Sequence, residues 1–246
     1  MIFWPHCAIL ACMKAPRSSF ALHERQYKER GFTAQRRYPN ESLLQFLAAH
    51  FFSRSPAGRM RTRILELGCG SGANLWMLAR EGFDTYGVDA SPTALRLCRK
   101  MLAAWKVSAH VSRADMRTQM FPGSSFDAIV DVVSIQHTTL SEHAKIYAAV
   151  FAMLKPGGRF FSYHLGSRSS SFREARSKML DSYTVEKVNN PRVPLSGNGP
   201  ICFIPVPRLK ALLKKAGFTD ISLEKVTRTY KTGKIIEYLA VSAQKL

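Results

Sequence analysis

At 246 residues, 46% of them apolar, the chain is long enough for one α/β core with additions and has the side chains to fill it. No apolar run reaches the roughly 20 residues that a spanning helix needs, so no membrane span is expected. A formal net charge of +19 favours an anionic substrate, and its distribution along the chain matters more than its total.

In chain order, residues 2–12 form a short apolar segment with no basic residue before it, which does not fit a secretory signal; Met13, followed by Lys14, Pro16 and Arg17, reads as an alternative start. Asn40 is expected to cap a helix that puts Leu43, Leu44, Leu47 and Phe51 on one face. Residues 63–67 are a short aliphatic run of the kind buried on both faces of a parallel sheet. Gly68, Gly70 and Gly72 make a tight turn, and residues 73–80 resume with helical apolar spacing until Gly82. Residues 83–89 read as a second strand. Ser91-Pro92 is a cap followed by proline at the first helical position, so a helix is expected from Thr93 to about Trp105. Residues 121–125 turn into a fourth strand. Ser141 is expected to cap a helix carrying Ile146, Val150, Phe151 and Leu154 toward the sheet, stopped at residues 155–158, and residues 158–163 form the fifth strand.

After that strand the pattern breaks. Residues 167–171 are polar, residues 172–180 read as a basic helical stretch, and residues 189–207 hold five prolines and two glycines. Irregular segments of this length are often functional. Residues 207–216 then read as a helix ended by Gly217, and residues 219–229 with 233–244 as a closing strand pair.

The chemistry is concentrated at the first turn. Glycines there bring a ligand against bare backbone N–H groups, and Asp89, 21 residues after Gly68, is placed to accept both hydroxyls of a ribose. A dinucleotide site would need Gly-x-Gly-x-x-Gly; this chain has Gly-x-Gly-x-Gly, with Asn74 where the last glycine would fall. Glu66, two residues before Gly68, would repel a pyrophosphate but suits ammonium and sulfonium charges.

With these residues the chain resembles the class I S-adenosylmethionine-dependent methyltransferases. Residues 112–116, with Asp115 and Met116, resemble the family's third-strand acid that holds the adenine amino group, and residues 126–133 and 154–161 resemble its fourth strand and the turn into its fifth. The resemblance implies an α/β, Rossmann-like seven-stranded mostly parallel sheet with helices on both faces and an antiparallel last strand, inserted at the sheet edge. It implies S-adenosyl-L-methionine as cofactor, bound by Glu66, Gly68, Cys69, Gly70, Gly72, Asp89, Ala90, Asp115 and Met116. Residues 1–60 are then an N-terminal extension with substrate lid helices, and residues 61–246 the methyltransferase domain with a substrate-binding insertion at about 165–206. The Asn-Pro-Pro-Tyr motif of amide and adenine methylating relatives is replaced by Ser134-Ile135-Gln136-His137. Tyr163-His164-Leu165 stands where metal-dependent relatives carry Asp-Asn, so no metal is expected.

Charge bears on the acceptor. Residues 1–63 carry 11 Lys/Arg against 3 Asp/Glu, residues 64–160 carry 10 against 8, and residues 161–246 carry 15 against 6. Basic flanks around a near-neutral core favour an anionic acceptor, a sugar, nucleotide-linked or carboxylated small molecule. Arg36 and Arg37, beside Tyr38, are candidates to bind it bidentately. A hydroxyl acceptor needs a base, and His137 and His164 both follow strands at the carboxyl edge of the sheet. The alternative is an RNA-modifying enzyme whose basic flanks bind phosphates, although no RNA-binding module is recognisable. Five scattered cysteines fit neither a disulfide framework nor a zinc site and point to a reducing, cytoplasmic setting; Cys69 is read as packing.

Overall fold

The structure, a computed structural model, describes residues 17–246; the apolar segment at residues 2–12, with Cys7 and Cys12, and the Met13 start lie outside the described residues. Helices α1 (Arg17–Arg30), α2 (Glu41–His50) and α3 (Pro56–Met60) precede the sheet. A strand and helix series follows: β1 (Arg63–Leu67), α4 (Leu75–Arg80), β2 (Asp84–Asp89), α5 (Pro92–Ala104), β3 (His110–Arg113), β4 (Phe126–Val132), α6 (Leu140–Met153) and β5 (Leu154–Leu165). The chain closes with α7 (Ser170–Arg173), the hairpin strands β6 (Thr184–Val185) and β7 (Ile201–Cys202), α8 (Val206–Lys215), β8 (Thr219–Thr229) and β9 (Ile235–Gln244).

The seven-stranded sheet runs β3-β2-β1-β4-β5-β9-β8, and β9 is antiparallel to both its neighbours. Order reverses between β1 and β4, which pair in parallel with Leu67 opposite Asp131. Such a reversal opens a crevice beyond the carboxyl ends of the strands, because the connections on its two sides leave toward opposite faces. Alternate residues of the central strands face opposite layers. Leu65, Ile129 and Phe160 pack with α6 and α8 through Ile146, Val150, Leu209 and Leu213, whereas Ile64, Val130 and Phe161 pack with Leu43, Phe46 and Leu47 of α2 and Leu78 of α4. Both faces are therefore dry, as a parallel sheet requires.

Several local expectations are corrected. The last strand does not lie at the sheet edge: β9 is inserted between β5 and β8, and β8 takes the edge. The cap of α6 is Thr139, which forms a capping box with Glu142, so Ser141 lies inside the helix. The expected basic helix at residues 172–180 reduces to the one turn of α7, whose Ser170 and Ser171 are buried against the insertion and β9. Strand β5 begins at Leu154, earlier than expected, running through Pro156 and the glycines. Asn40 does cap α2, accepting from Leu43 N at 3.0 Å.

Residues 165–206 carry a small core of their own. Val185, Val188, Val193, Ile201 and Phe203 bury against Leu165 and Ile236, which fixes this segment to the carboxyl end of β5 and the start of β9. Among the described residues, no helix is long and apolar enough to cross a membrane.

Candidate active site

A cavity of about 320 Å³ opens at the carboxyl ends of β1, β2, β3 and β4, under α1 and the insertion. Its volume is in the range of small-molecule sites. From the sheet it is lined by Glu66, Gly68, Cys69, Asp89, Ala90, Asp115 and Met116; Arg36 and His137 line it too.

Glu66 is buried, and Asn74 Nδ2 donates to its Oε1 at 2.5 Å while Oε2 has no hydrogen-bond partner among the described residues. Burial pushes its carboxyl up to about 8 against the pull of the Asn74 bond. Asn74 is fixed in turn, accepting at Oδ1 from the Asn40 backbone N–H at 3.0 Å, so the helix cap of α2 and the site share one residue pair. Asp89 accepts from Gly70 N at 2.9 Å through Oδ2 and from Ser91 N at 2.8 Å through Oδ1. Burial raises its carboxyl even so.

The glycines divide their work. Gly70, at φ +54°, does not line the cavity; a side chain there would collide with Tyr27 and Gln35, which cross over the turn. Tyr27 Oη donates to Gln35 Oε1 at 2.8 Å, and Gln35 Nε2 donates to Ser71 Oγ at 3.0 Å. Gly72, at φ +89°, leaves room for Cys98 and is likewise outside the lining. Cys69 packs with Leu75, Leu95 and Cys98.

Asp115 is held by Arg117, whose Nε lies 2.9 and 3.0 Å from its two oxygens, while Arg117 Nη1 reaches Glu142 Oε1 at 2.9 Å. Burial works to raise the Asp115 carboxyl, but the Arg117 bonds outweigh it and hold it below the usual range. At the end of β4, Asp131 accepts from Ser134 N at 2.9 Å, Ile135 N at 3.0 Å and Ser162 Oγ at 2.7 Å. It thereby sets the turn that presents Gln136 and His137.

The two expected histidines separate. His137 lines the cavity, its Nδ1 3.2 Å from the Pro200 carbonyl oxygen, and burial followed by contact with His23 pushes it down to about 3. His164 is outside the lining: it is fully buried, with Nδ1 3.0 Å from the Leu165 carbonyl and Nε2 3.3 Å from His143 Nε2. The cause is strand parity, which turns His164 into the layer beneath α6. The arginine pair separates in the same way. Arg36 lines the cavity, whereas Arg37 lies over the Phe32 ring at 5.6 Å and Tyr38 is 66% exposed, neither lining the cavity.

Phe20, His23, Gln26 and Tyr27 of α1 and Leu195, Asn198 and Ile201 of the insertion also line the cavity. Glu24 anchors α1, accepting from Ser91 Oγ at 2.5 Å and Thr93 Oγ1 at 2.6 Å. Sequence reading passed over Asn74 as a ligand holder, Arg117, Gln35 and His23. A tyrosine and a glutamine eight residues apart bear no pattern that foretells their meeting over Gly70.

The methyltransferase-domain family matches residues 64–158, from β1 into β5 and so across every strand that lines the cavity. Residues 64–158 are thus a methyltransferase domain, and this part of the chain is similar to the class I S-adenosylmethionine-dependent methyltransferases. Its methyltransferase fold is similar to that of a SAM-dependent methyltransferase from Methanosarcina mazei, with a TM-score of 0.62 and 23% identity over 75% of this chain and 92% of that one. Among curated proteins it is similar to the S-adenosyl-L-methionine-dependent Diels-Alderase iccD of Talaromyces variabilis, 28% identical over 74% of this chain and 58% of that one. It is also similar to the Ubiquinone biosynthesis O-methyltransferase of Methylococcus capsulatus, 31% identical over 50% of this chain and 48% of that one. The chain spans about half the length of the curated relatives it matches.

The methyltransferase site fits S-adenosyl-L-methionine on its own chemistry. Glu66 Oε2 is a buried oxygen in need of a donor, which an α-ammonium supplies, and such an orphan is costly if left unpaired. Asp89 has its two backbone donors on one side and faces the cavity on the other, where ribose hydroxyls would sit. When bound, the cofactor supplies an electrophilic methyl group. Metal-holding clusters of His, Cys, Asp or Glu are absent among the described residues.

Proposed function

We propose that this chain transfers a methyl group from S-adenosyl-L-methionine to an oxygen of an anionic small molecule, a carboxylated, sugar or nucleotide-linked metabolite. The carrying observation is that Arg36 and His137 line the same cavity as Glu66 and Asp89. Methyl transfer needs the acceptor held in line with the methyl group and water kept out, and the protein's contribution is mainly that positioning. The 1–60 extension, through α1, and the insertion at 165–206 supply the roof, and both choose the acceptor.

Arg36 and Arg117 are the Lys/Arg residues lining the cavity among the described residues, and Arg117 is neutralised by Asp115 and Glu142. Arg36 is thus the cation left to receive an acceptor's anionic group. A cavity of about 320 Å³ with one available cation among the described residues supports a small acceptor over RNA, which would need many phosphate contacts. Cys69, Cys98 and Cys202 are free and buried, which supports a reducing compartment, the cytoplasm.

The test is a methyl-acceptor screen with labelled cofactor, followed by single substitutions. Arg36→Ala should raise the acceptor KM about 10-fold, the cost of one charge-assisted contact, and Arg37→Ala should leave it unchanged. An unchanged KM in the Arg36 variant overturns the anionic acceptor.

A further inference from the structure

The cavity has two halves. Toward β1 and β2 lie Glu66, Asp89 and the glycine turn; toward α1, the turn after β4 and the insertion lie His23, Gln26, Gln136, His137 and Asn198. In that second half the lining carboxylate is Glu142, which is taken up by Arg117 and the Thr139 cap. An acceptor proton therefore meets imidazole and amide groups.

The imidazoles are arranged as a pair. His137 Nδ1 lies 3.2 Å from the Pro200 carbonyl oxygen, so Nδ1 carries the hydrogen and Nε2 the lone pair. The His23 ring meets the His137 ring edge-on, with centroids 4.4 Å apart and planes at 73°. Glu24, the next residue, fixes α1 to Ser91 and Thr93, which sets the position of His23.

We propose that His23 is a second catalytic residue of the acceptor pocket, completing with His137 an imidazole pair that receives the proton of a phenolic or enolic hydroxyl as its oxygen is methylated. This rests on the reading of the chain as an oxygen methyltransferase. In the step the acceptor O–H bond breaks and its proton passes to imidazole. The oxygen forms its bond to the methyl carbon, and the carbon–sulfur pair leaves on a neutral thioether. The hydroxyl must be acidic because imidazole is a weak base: a phenol near pKa 10 is within reach and a saturated alcohol, close to water's roughly 16, is not. Burial weakens His137 further. Titratable and charged groups that share the cavity lining with the pair are Tyr27 on α1, Arg36 before α2, Glu66 on β1, Asp89 on β2, Asp115 and Arg117 after β3 and Glu142 on α6, and His164 on β5 acts on His137 from behind.

The test uses the full chain with protocatechuate as phenol, comenate as enol and quinate as saturated alcohol, alongside calorimetry with S-adenosylhomocysteine. The phenol or the enol should turn over and quinate should not. His23→Gln should lower kcat at least about 10-fold, with KM and S-adenosylhomocysteine affinity within about 2-fold of wild type. The deficit should shrink as pH rises past the acceptor's own pKa, where no proton remains to be removed, and His23→Gln with His137→Gln should be no worse than either alone. Wild-type kcat in His23→Gln, a deficit that does not change with pH, turnover of quinate alone, or no turnover of phenol and enol by a chain that binds S-adenosylhomocysteine would each overturn the proposal. Failure of the wild-type chain to bind S-adenosylhomocysteine would instead overturn the methyltransferase reading beneath it.

Discussion

Asn74 donates to one oxygen of Glu66 at 2.5 Å and leaves the other buried with no hydrogen-bond partner among the described residues. Burial raises the Glu66 carboxyl to about 8, so in the ligand-free protein it is mostly protonated at neutral pH. A cofactor ammonium stabilises the carboxylate, and binding at pH 7 should release about one proton. Calorimetry in buffers of different ionisation enthalpy should show that release in the wild type, and Glu66→Gln should abolish it.

Stability should depend on pH in two opposed ways. His137, His143 and His164 are held neutral by burial, at about 3, 4 and 3. Their unfolded value is about 6.5, so the unfolded chain takes up protons that the folded chain refuses, and stability falls as pH drops below about 6.5. Glu24, Asp115, Glu142 and Asp181, held below the usual carboxylate range, act in the same direction at lower pH. Glu66, at about 8, and Asp131, at about 6, have raised values, and the stability they contribute is lost as pH rises through them. Thermal melts of the ligand-free chain should therefore peak near pH 6.5, and the decline toward pH 8 should disappear in Glu66→Gln.

How far the sequence foretold these sites depends on whether the determinant is local. The sheet core was legible because β1 and β4 are aliphatic runs flanked by turn residues, and the spacing of Glu66, Gly68 and Asp89 pointed to one site because all three stand at the carboxyl ends of adjacent strands and line one cavity. The split between His137 and His164 was not, since it depends on which face of β5 residue 164 takes once that strand is registered against β4 and β9. The same holds for Arg36 and Arg37, adjacent in sequence, of which Arg36 lines the cavity and Arg37 lies over the Phe32 ring. The short α7 was misread as a longer helix because the basic residues after it imitate a helix surface, whereas Asn190 and the buried serines bind backbone groups there instead.

Glu24 should govern exchange of the cofactor. Its carboxylate binds Ser91 and Thr93 at the start of α5, where it also meets the positive end of that helix. Glu24→Gln weakens charge-assisted bonds, and dissociation of S-adenosylhomocysteine should become about 10-fold faster. Stopped-flow displacement measures the rate, and hydrogen exchange should report faster exchange in α1 with little change in β1 or β4. Equal rates in both proteins would show that α1 does not gate the site.

The most direct measurement is a calorimetric titration of the ligand-free chain with S-adenosyl-L-methionine, repeated with Asp89→Ala. A ribose seated on Asp89 would lose two charge-assisted hydrogen bonds of about 1.5–3 kcal/mol each, so one-to-one binding in the wild type should weaken at least about 100-fold in the variant. No binding to the wild type, or equal affinity in the two proteins, would contradict a methyl-donor site at the carboxyl ends of β1 and β2.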